Sequence, residues 1–161
     1  MFYSITFYDA SSHQANTWND WHLIPTSRPT IAIPQPVTKI VKIPGNSTPI
    51  DLSTYLKGRP IYGPSSGSLE FYVDHDQYPK NNETWISLRH KICSFLHGKK
   101  IKMVLEEDPG HYYIGRFLFN AWKSDANWSQ VSINYQLDPY RYPISGINDW
   151  SANLTGTGGV L

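Results

Sequence analysis

KKIKMVLEEDPGHYYIGRFLFNAW (99–122) alternates apolar and polar side chains on either side of an acidic break holding Pro109 and Gly110. Ile101, Met103 and Leu105 share one face of the first half; in the second, Tyr113, Phe117 and Phe119 oppose Ile114 and Leu118. That period of two marks strands, and the break has hairpin composition. Immediately downstream, SQVSINYQLD (129–138) sets Val131, Ile133, Tyr135 and Leu137 against Ser132, Asn134 and Gln136, a third strand reached through KSDANW. Immediately upstream the period changes. Trp85, Leu88, Ile92 and Phe95, widened by Ile86, Cys93 and Leu96, form a helical stripe. Asn82 is placed to cap its start and Gly98 to close its end, which puts a helix at about residues 83–97. Three antiparallel strands behind one helix define an α+β arrangement.

Further out the signals are shorter. GSLEFYVD (67–74) is a strand with Leu69, Phe71 and Val73 on one face. FYSITFYDA (2–10) is another, rich in aromatic and β-branched residues, and WHLI (21–24) is expected beside it. Pro25, Pro29, Pro34 and Pro36 exclude a helix or a central strand and favour an extended edge segment. VTKIVKI (37–43) reads as a strand with two partly apolar faces, bounded by the turn signal Pro44-Gly45-Asn46. DLSTYL (51–56) is one helical turn or a short loop, GRPIYG (58–63) a turn into extended chain, and DHDQYPKNN (74–82) a polar loop. After Pro139 periodicity stops. The two expected parts are a main domain at 1–142 and a C-terminal extension at 143–161 that orders against a partner.

The 161 residues suffice for one domain. Charged residues make up only 17%, against about 25% in an ordinary domain, while 14% are aromatic, including 11 Tyr and 6 Trp. A surface short of charge and rich in rings suits protein contacts. The net charge of +1 carries no nucleic-acid footprint. Lys99-Lys100-Ile101-Lys102 and Arg89-His90-Lys91 read as the solvated sides of a strand and a helix. Cys93 is the single cysteine, which excludes an intrachain disulfide and fits a reducing cytoplasm. No apolar run reaches the ~18 residues of a membrane span, and the N-terminus does not read as a secretory signal.

No catalytic constellation emerges. His90 and His97 lie two helical turns apart with no ligand between them, and Asp74-His75-Asp76 is a loop whose neighbouring side chains diverge. Glu106-Glu107-Asp108 is a solvated turn rather than a carboxylate pair facing across a cleft. There is no GxSxG elbow, Cys93 belongs to the apolar stripe, and GTGG (156–159) lacks the context of a phosphate loop. The matches to the glycosylation sequon are chance. The remaining candidate is a ring platform for sugar binding from Trp18, Trp21, Trp122, Trp128, Trp150, Tyr112, Tyr113, Tyr140 and Tyr142, weighed against ordinary strand and interface packing. The chain reads as no enzyme, with no cofactor or metal.

Longer strings are more specific. NTWNDWHLIPTSRPTIAIPQPVTKIVKIPG, DLSTYLKGRPIYG, GSLEFYVD, FLHGKKIKMVLEEDPGHYYIGRF and SDANWSQVSINYQLDPYRY resemble the distal tail proteins of long-tailed, non-contractile bacteriophages over residues 1–142. The resemblance implies a β-sandwich or barrel of tail-tube type, flanked by one helix and carrying an extended arm or hairpin. It implies a homo-hexameric ring at the distal end of the tail tube, in the virion, assembled in the host cytoplasm. Its partners are the tail-tube protein, the tape-measure protein and the tail-tip or baseplate proteins; DNA passes through the channel only in transit, and no membrane insertion is implied. Under this resemblance Trp18, Trp21, Arg28, Lys39, Val41, Ile43, Tyr140 and Tyr142 are the candidate subunit-interface residues. The alternatives are the tail-tube subunit itself and a carbohydrate-binding module.

Overall fold

The computed structural model describes residues 3–11, 13–55, 58–74, 82–124 and 129–150. His75, Asp76, Trp128 and residues 151–161 lie outside them, as do the side chains of Trp85 and Trp122. The elements run β1 (Ile5–Tyr8), β2 (Gln14–Asn16), β3 (Leu23–Pro25), β4 (Ile40–Val41), β5 (Ile50–Asp51), β6 (Ser65–Val73), α1 (Asn82–Leu96), β7 (Lys100–Leu105), β8 (His111–Ser124), β9 (Ser129–Leu137), β10 (Tyr142–Pro143) and a 3-10 turn (Ile144–Gly146).

The main sheet is antiparallel and eight-stranded, in the order β2-β1-β7-β8-β9-β6-β3, with β10 also on β8. Its centre is the pair of hairpins read from residues 99–138. β8 and β9 pair from Gly115↔Leu137 to Ser124↔Ser129, with a bulge between Phe119 and Ala121. Beyond Leu137 the ladder resumes as β10, where Tyr142 faces Tyr112. α1 ends at Leu96, and Gly98 just beyond it, at φ +73°, takes the left-handed conformation that suits glycine after a helix.

The two edge strands are neighbours in sequence. Residues 17–22 alone carry the chain from β2 at one end of the sheet to β3 at the other, so the sheet curls like half a barrel. Asn16 caps this short link: its Oδ1 accepts the Trp18 and Asn19 amides at 2.9 and 3.0 Å. Asp20 Oδ2 accepts the Asn16 amide in return at 2.7 Å. His22, at φ +49°, ends the turn, and its amide donates to the Trp18 carbonyl. Buried Thr17 ties the link to β1, accepting the Ile5 amide at 2.9 Å. The expectation that WHLI pairs beside the first strand is therefore corrected. Leu23–Pro25 pair with β6, and β1 lies between β2 and β7. The reversal at Trp18–His22 turns the chain away from β1 before it can pair there.

One apolar core fills the curl. Ile5 and Phe7, Leu69 and Phe71, Ile101 and Met103, Phe117, and Val131 to Leu137 in alternation meet Leu88, Ile92 and Leu96 of α1. Trp21, 1% exposed, stacks on Phe7 at 5.8 Å and meets Phe95 edge-on. A smaller cluster of Tyr112, Ile114 and Tyr142 is covered by Val104, Tyr140, Ile147 and Trp150. The antiparallel α+β class read from the sequence is the one the chain adopts. The main sheet is single, and the second sheet is the isolated pair β4–β5.

Candidate assembly surface

Between β3 and β6 the chain leaves the body as a long irregular hairpin. The Ala32 amide donates to Tyr135 Oη at 3.0 Å, and Ser65 Oγ donates to the Ala32 carbonyl. Tyr135 reaches this point because Gly67 is opposite it: a Cβ at Gly67 would lie 2.4 Å from the Tyr135 hydroxyl. Above the root, the Gly63 amide meets the Gln35 carbonyl at 2.9 Å and the Val37 amide meets Ile61 at 2.7 Å. Farther out, Ile40 pairs with Asp51 and Val41 with Ile50, and the chain reverses through Gly45 and Asn46.

Every residue from Gln35 to Asp51 is exposed. Within this run Ile40 is 58% exposed, with Val37, Val41, Ile43 and Ile50 also open, and beside it Ile33 is 82% exposed, Tyr55 80% and Ile61 is open as well. A two-stranded ribbon is marginal alone in water, and exposed apolar side chains gathered on one segment make the arm a candidate interaction surface. VTKIVKI accordingly forms extended chain, but only Ile40 and Val41 enter a ladder.

The structure distributes the eight sequence-nominated residues between arm and body. Lys39, Val41 and Ile43 lie exposed on the arm. Arg28, near the arm root, donates from Nε to Glu107 Oε2 at 2.8 Å within its own chain. The Glu107 hydrogen bond and charge raise the Arg28 pKa further. Trp18 is half-buried with its ring edge-on to His22 at 5.9 Å. Tyr140 meets Tyr62 of the returning arm at 6.5 Å. Trp21 and Tyr142 are inside the chain's own packing, Tyr142 stacked on Tyr112 at 5.5 Å. Both therefore anchor their segments from within and present almost no surface to a neighbour.

Two readings of charged runs are corrected. Glu106-Glu107-Asp108 is no idle solvated turn, because each carboxylate holds a different segment. Glu106 accepts the Ser4 amide at 2.7 Å, Glu107 takes Arg28, and Asp108 takes both His111 Nδ1 and Arg141 Nη1 at 2.8 Å. Burial would raise the Asp108 pKa; the bonds and charges of His111 and Arg141 outweigh it and hold the carboxyl below its ordinary value.

Lys102 is the second correction, being 0% exposed. Its Nζ donates to the carbonyls of Gly146 at 2.9 Å, Ile147 at 2.8 Å and also Asp149. It lies 4.7 Å from the Tyr112 ring centroid and 4.4 Å from that of Trp150. Burial lowers its pKa, and the Asp149 charge acts in the opposite direction. Lys102 and the smaller cluster bind residues 142–150 to the sheet of their own chain. The boundary expected between 142 and 143 falls inside β10.

Among the described residues no group of three or more His, Cys, Asp or Glu is placed to hold a metal, and no helix is long and apolar enough to cross a membrane.

No family model matches the chain, and no curated protein matches it. The fold itself, however, has counterparts among solved structures. One matching solved structure is SPP1 Dit (gp 19.1), described as a paradigm of the hub adsorption apparatus in phages infecting Gram-positive bacteria. The two superpose with a TM-score of 0.61 at 13% identity, over 86% of this chain and 52% of that one. The chain thus spans about half the length of Dit, and what it shares with that protein is the fold.

Proposed function

We propose that this chain is a structural protein of a long-tailed phage virion. Copies form a ring, six in number, at the distal end of the tail tube, joining the tube to the tip or baseplate. The observation that carries the reading is a Dit-like body bearing an arm whose apolar side chains are exposed. In a head-to-tail ring, each arm meets the next copy and the symmetry closes the chain of contacts. Tail-tube, tape-measure and tip proteins are the partners above, within and below the ring, which assembles in the host cytoplasm. DNA crosses the channel without being held, and a net charge of +1 suits that transit because phosphate affinity grows with Lys and Arg contacts. The role is architectural and calls for no catalytic step.

Light scattering after size exclusion, with negative-stain imaging, tests the proposal. The expected species is a ring of six copies. A protein that remains monomeric at its highest soluble concentration, alone and with the tube protein, overturns it.

A further inference from the structure

We propose that the groove between β2 and α1 is a binding site for a phosphorylated sugar, with the phosphate held by Lys91 and Lys99 and the sugar ring laid against Phe95. The site lies on the body, apart from the arm, and goes beyond the architectural role.

The groove is open and has a volume of about 370 Å³, within the range of small-molecule sites. Its floor is apolar. Buried Ala15 and Trp21 close the bottom, and half-buried Phe95 presents a ring that a ligand can reach. Trp21 meets that ring edge-on at 5.8 Å, which fixes its plane. A fixed aromatic face packs against the C–H face of a sugar without the entropy cost of ordering a loose side chain.

The rim supplies charge. Lys91 Nζ donates to the Asp20 carbonyl at 3.3 Å and Lys99 Nζ to the Ser94 carbonyl at 2.6 Å. An ammonium has three donors, so each keeps others for a ligand. Among the described residues neither is paired with a carboxylate. Asp20 is the acid in the lining, and its Oδ2 accepts the Asn16 amide at 2.7 Å. His13, also at the rim, pairs with Asp9 at 3.3 Å. Two lysines against one aspartate leave the groove positive, and lysine is a common phosphate binder. A peptide strand is the poorer occupant. Asp20 engages both backbone groups of Asn16, since its own amide also meets the Asn16 carbonyl at 3.1 Å, and the outer edge of β2 is blunted there. Recognition is left to side chains, two cations beside one ring, and a sugar phosphate matches that pattern.

Titration of the full chain with glucose-1-phosphate, followed by amide NMR, tests the site. Shifts are expected at residues 13–15 and 91–99 and are expected to fade with added salt. Glucose and inorganic phosphate are each expected to bind about tenfold or more weakly, and Lys91→Gln with Lys99→Gln, at two exposed positions, to lose about tenfold or more against the sugar phosphate. Phe95→Leu keeps an apolar side chain and is expected to weaken the sugar phosphate but not inorganic phosphate. A phosphodiester-linked glycan titrated beside it separates a polymer ligand, bound tighter per repeat, from a free sugar; either supports the site. Equal binding of inorganic phosphate, or no loss in the double variant, means an adventitious ion only and overturns the proposal. So does silence toward glucose-1-phosphate, and so does a glutamate-rich peptide that shifts these residues where the sugar phosphate does not. Light scattering on the same samples reads the ring independently. Copies that associate without binding the sugar phosphate sink this site alone, and copies that bind it but stay monomeric sink the assembly reading alone.

Discussion

The body and the arm place the same kinds of residue in opposite environments. In the body, Ile5, Ile92, Ile101 and Ile133 are 0% exposed. On the arm, Ile33, Ile40, Ile43 and Ile50 face solvent. The body's sheet is curled around its apolar side chains, whereas the arm's two short strands have no second layer. Burying a large aliphatic side chain is worth about 1.5–3 kcal/mol, and the arm realises that gain only when something covers it. The body thus buries its apolar side chains within one chain, and the arm would do so only in the proposed assembly.

The sharpest way to break this division is to remove a ring from the body. Trp21→Ala is expected to cost about 3–5 kcal/mol of unfolding free energy, read by denaturant titration, because Phe7 and Phe95 lose their packing partner. A near-neutral result would mean that Trp21 faces a neighbour after all. Lys102→Met comes next, at about 2–3 kcal/mol, since the partly buried carbonyls of Gly146 and Ile147 lose a charged donor. Hydrogen exchange is expected to show the loss concentrated in residues 142–150, with the arm unchanged.

Asp108→Asn is smaller, on the order of 1 kcal/mol for a partly exposed carboxylate. Its pH dependence identifies it. The folded pKa lies below the ordinary 3.8, so the contribution is present above that value and is lost as pH falls through the lowered folded one. The parent and Asp108→Asn are therefore expected to converge in stability in strong acid and to separate above about pH 4. The smallest effect on folding belongs to the arm. Ile40→Ser with Val41→Ser is expected to shift unfolding by less than about 0.5 kcal/mol while abolishing self-association by light scattering. If that pair destabilises the monomer instead, the contrast between arm and body is wrong.

Alternation made the centre of the fold readable. In sequence β9 keeps a period of two over its length, β7 over its first half and β8 as far as its bulge after Phe119, and the stripe from Trp85 to Phe95 marks α1 within a residue of its ends. Short strands were harder. Leu23–Pro25 carries too little pattern to choose between β1 and β6, and the choice is made by the capped turn before it. Among the site residues, the arm positions were legible because proline and a bounded apolar run mark extended chain at an edge. The roles of Trp21 and Tyr142 were not, since an aromatic residue looks alike in a core and in a contact. Lys102 was hidden more deeply. Its burial depends on carbonyls of a turn distant in sequence, and the only local sign is its alternation between Ile101 and Met103.

The link at residues 17–22 also bears on how the chain folds. Beside the local β7-β8-β9 hairpins, the pairings of β1 with β7, β6 with β9 and β3 with β6 join segments far apart in sequence, and contacts of that kind slow folding. The edges of the curl are local again, because the capped turn holds β2 and β3 at loop-closure distance from the outset. Bringing the rims together therefore adds little entropic cost once the centre has formed. The turn can act as a preset clasp, with the slow search confined to delivering β1 and β6 to their central neighbours.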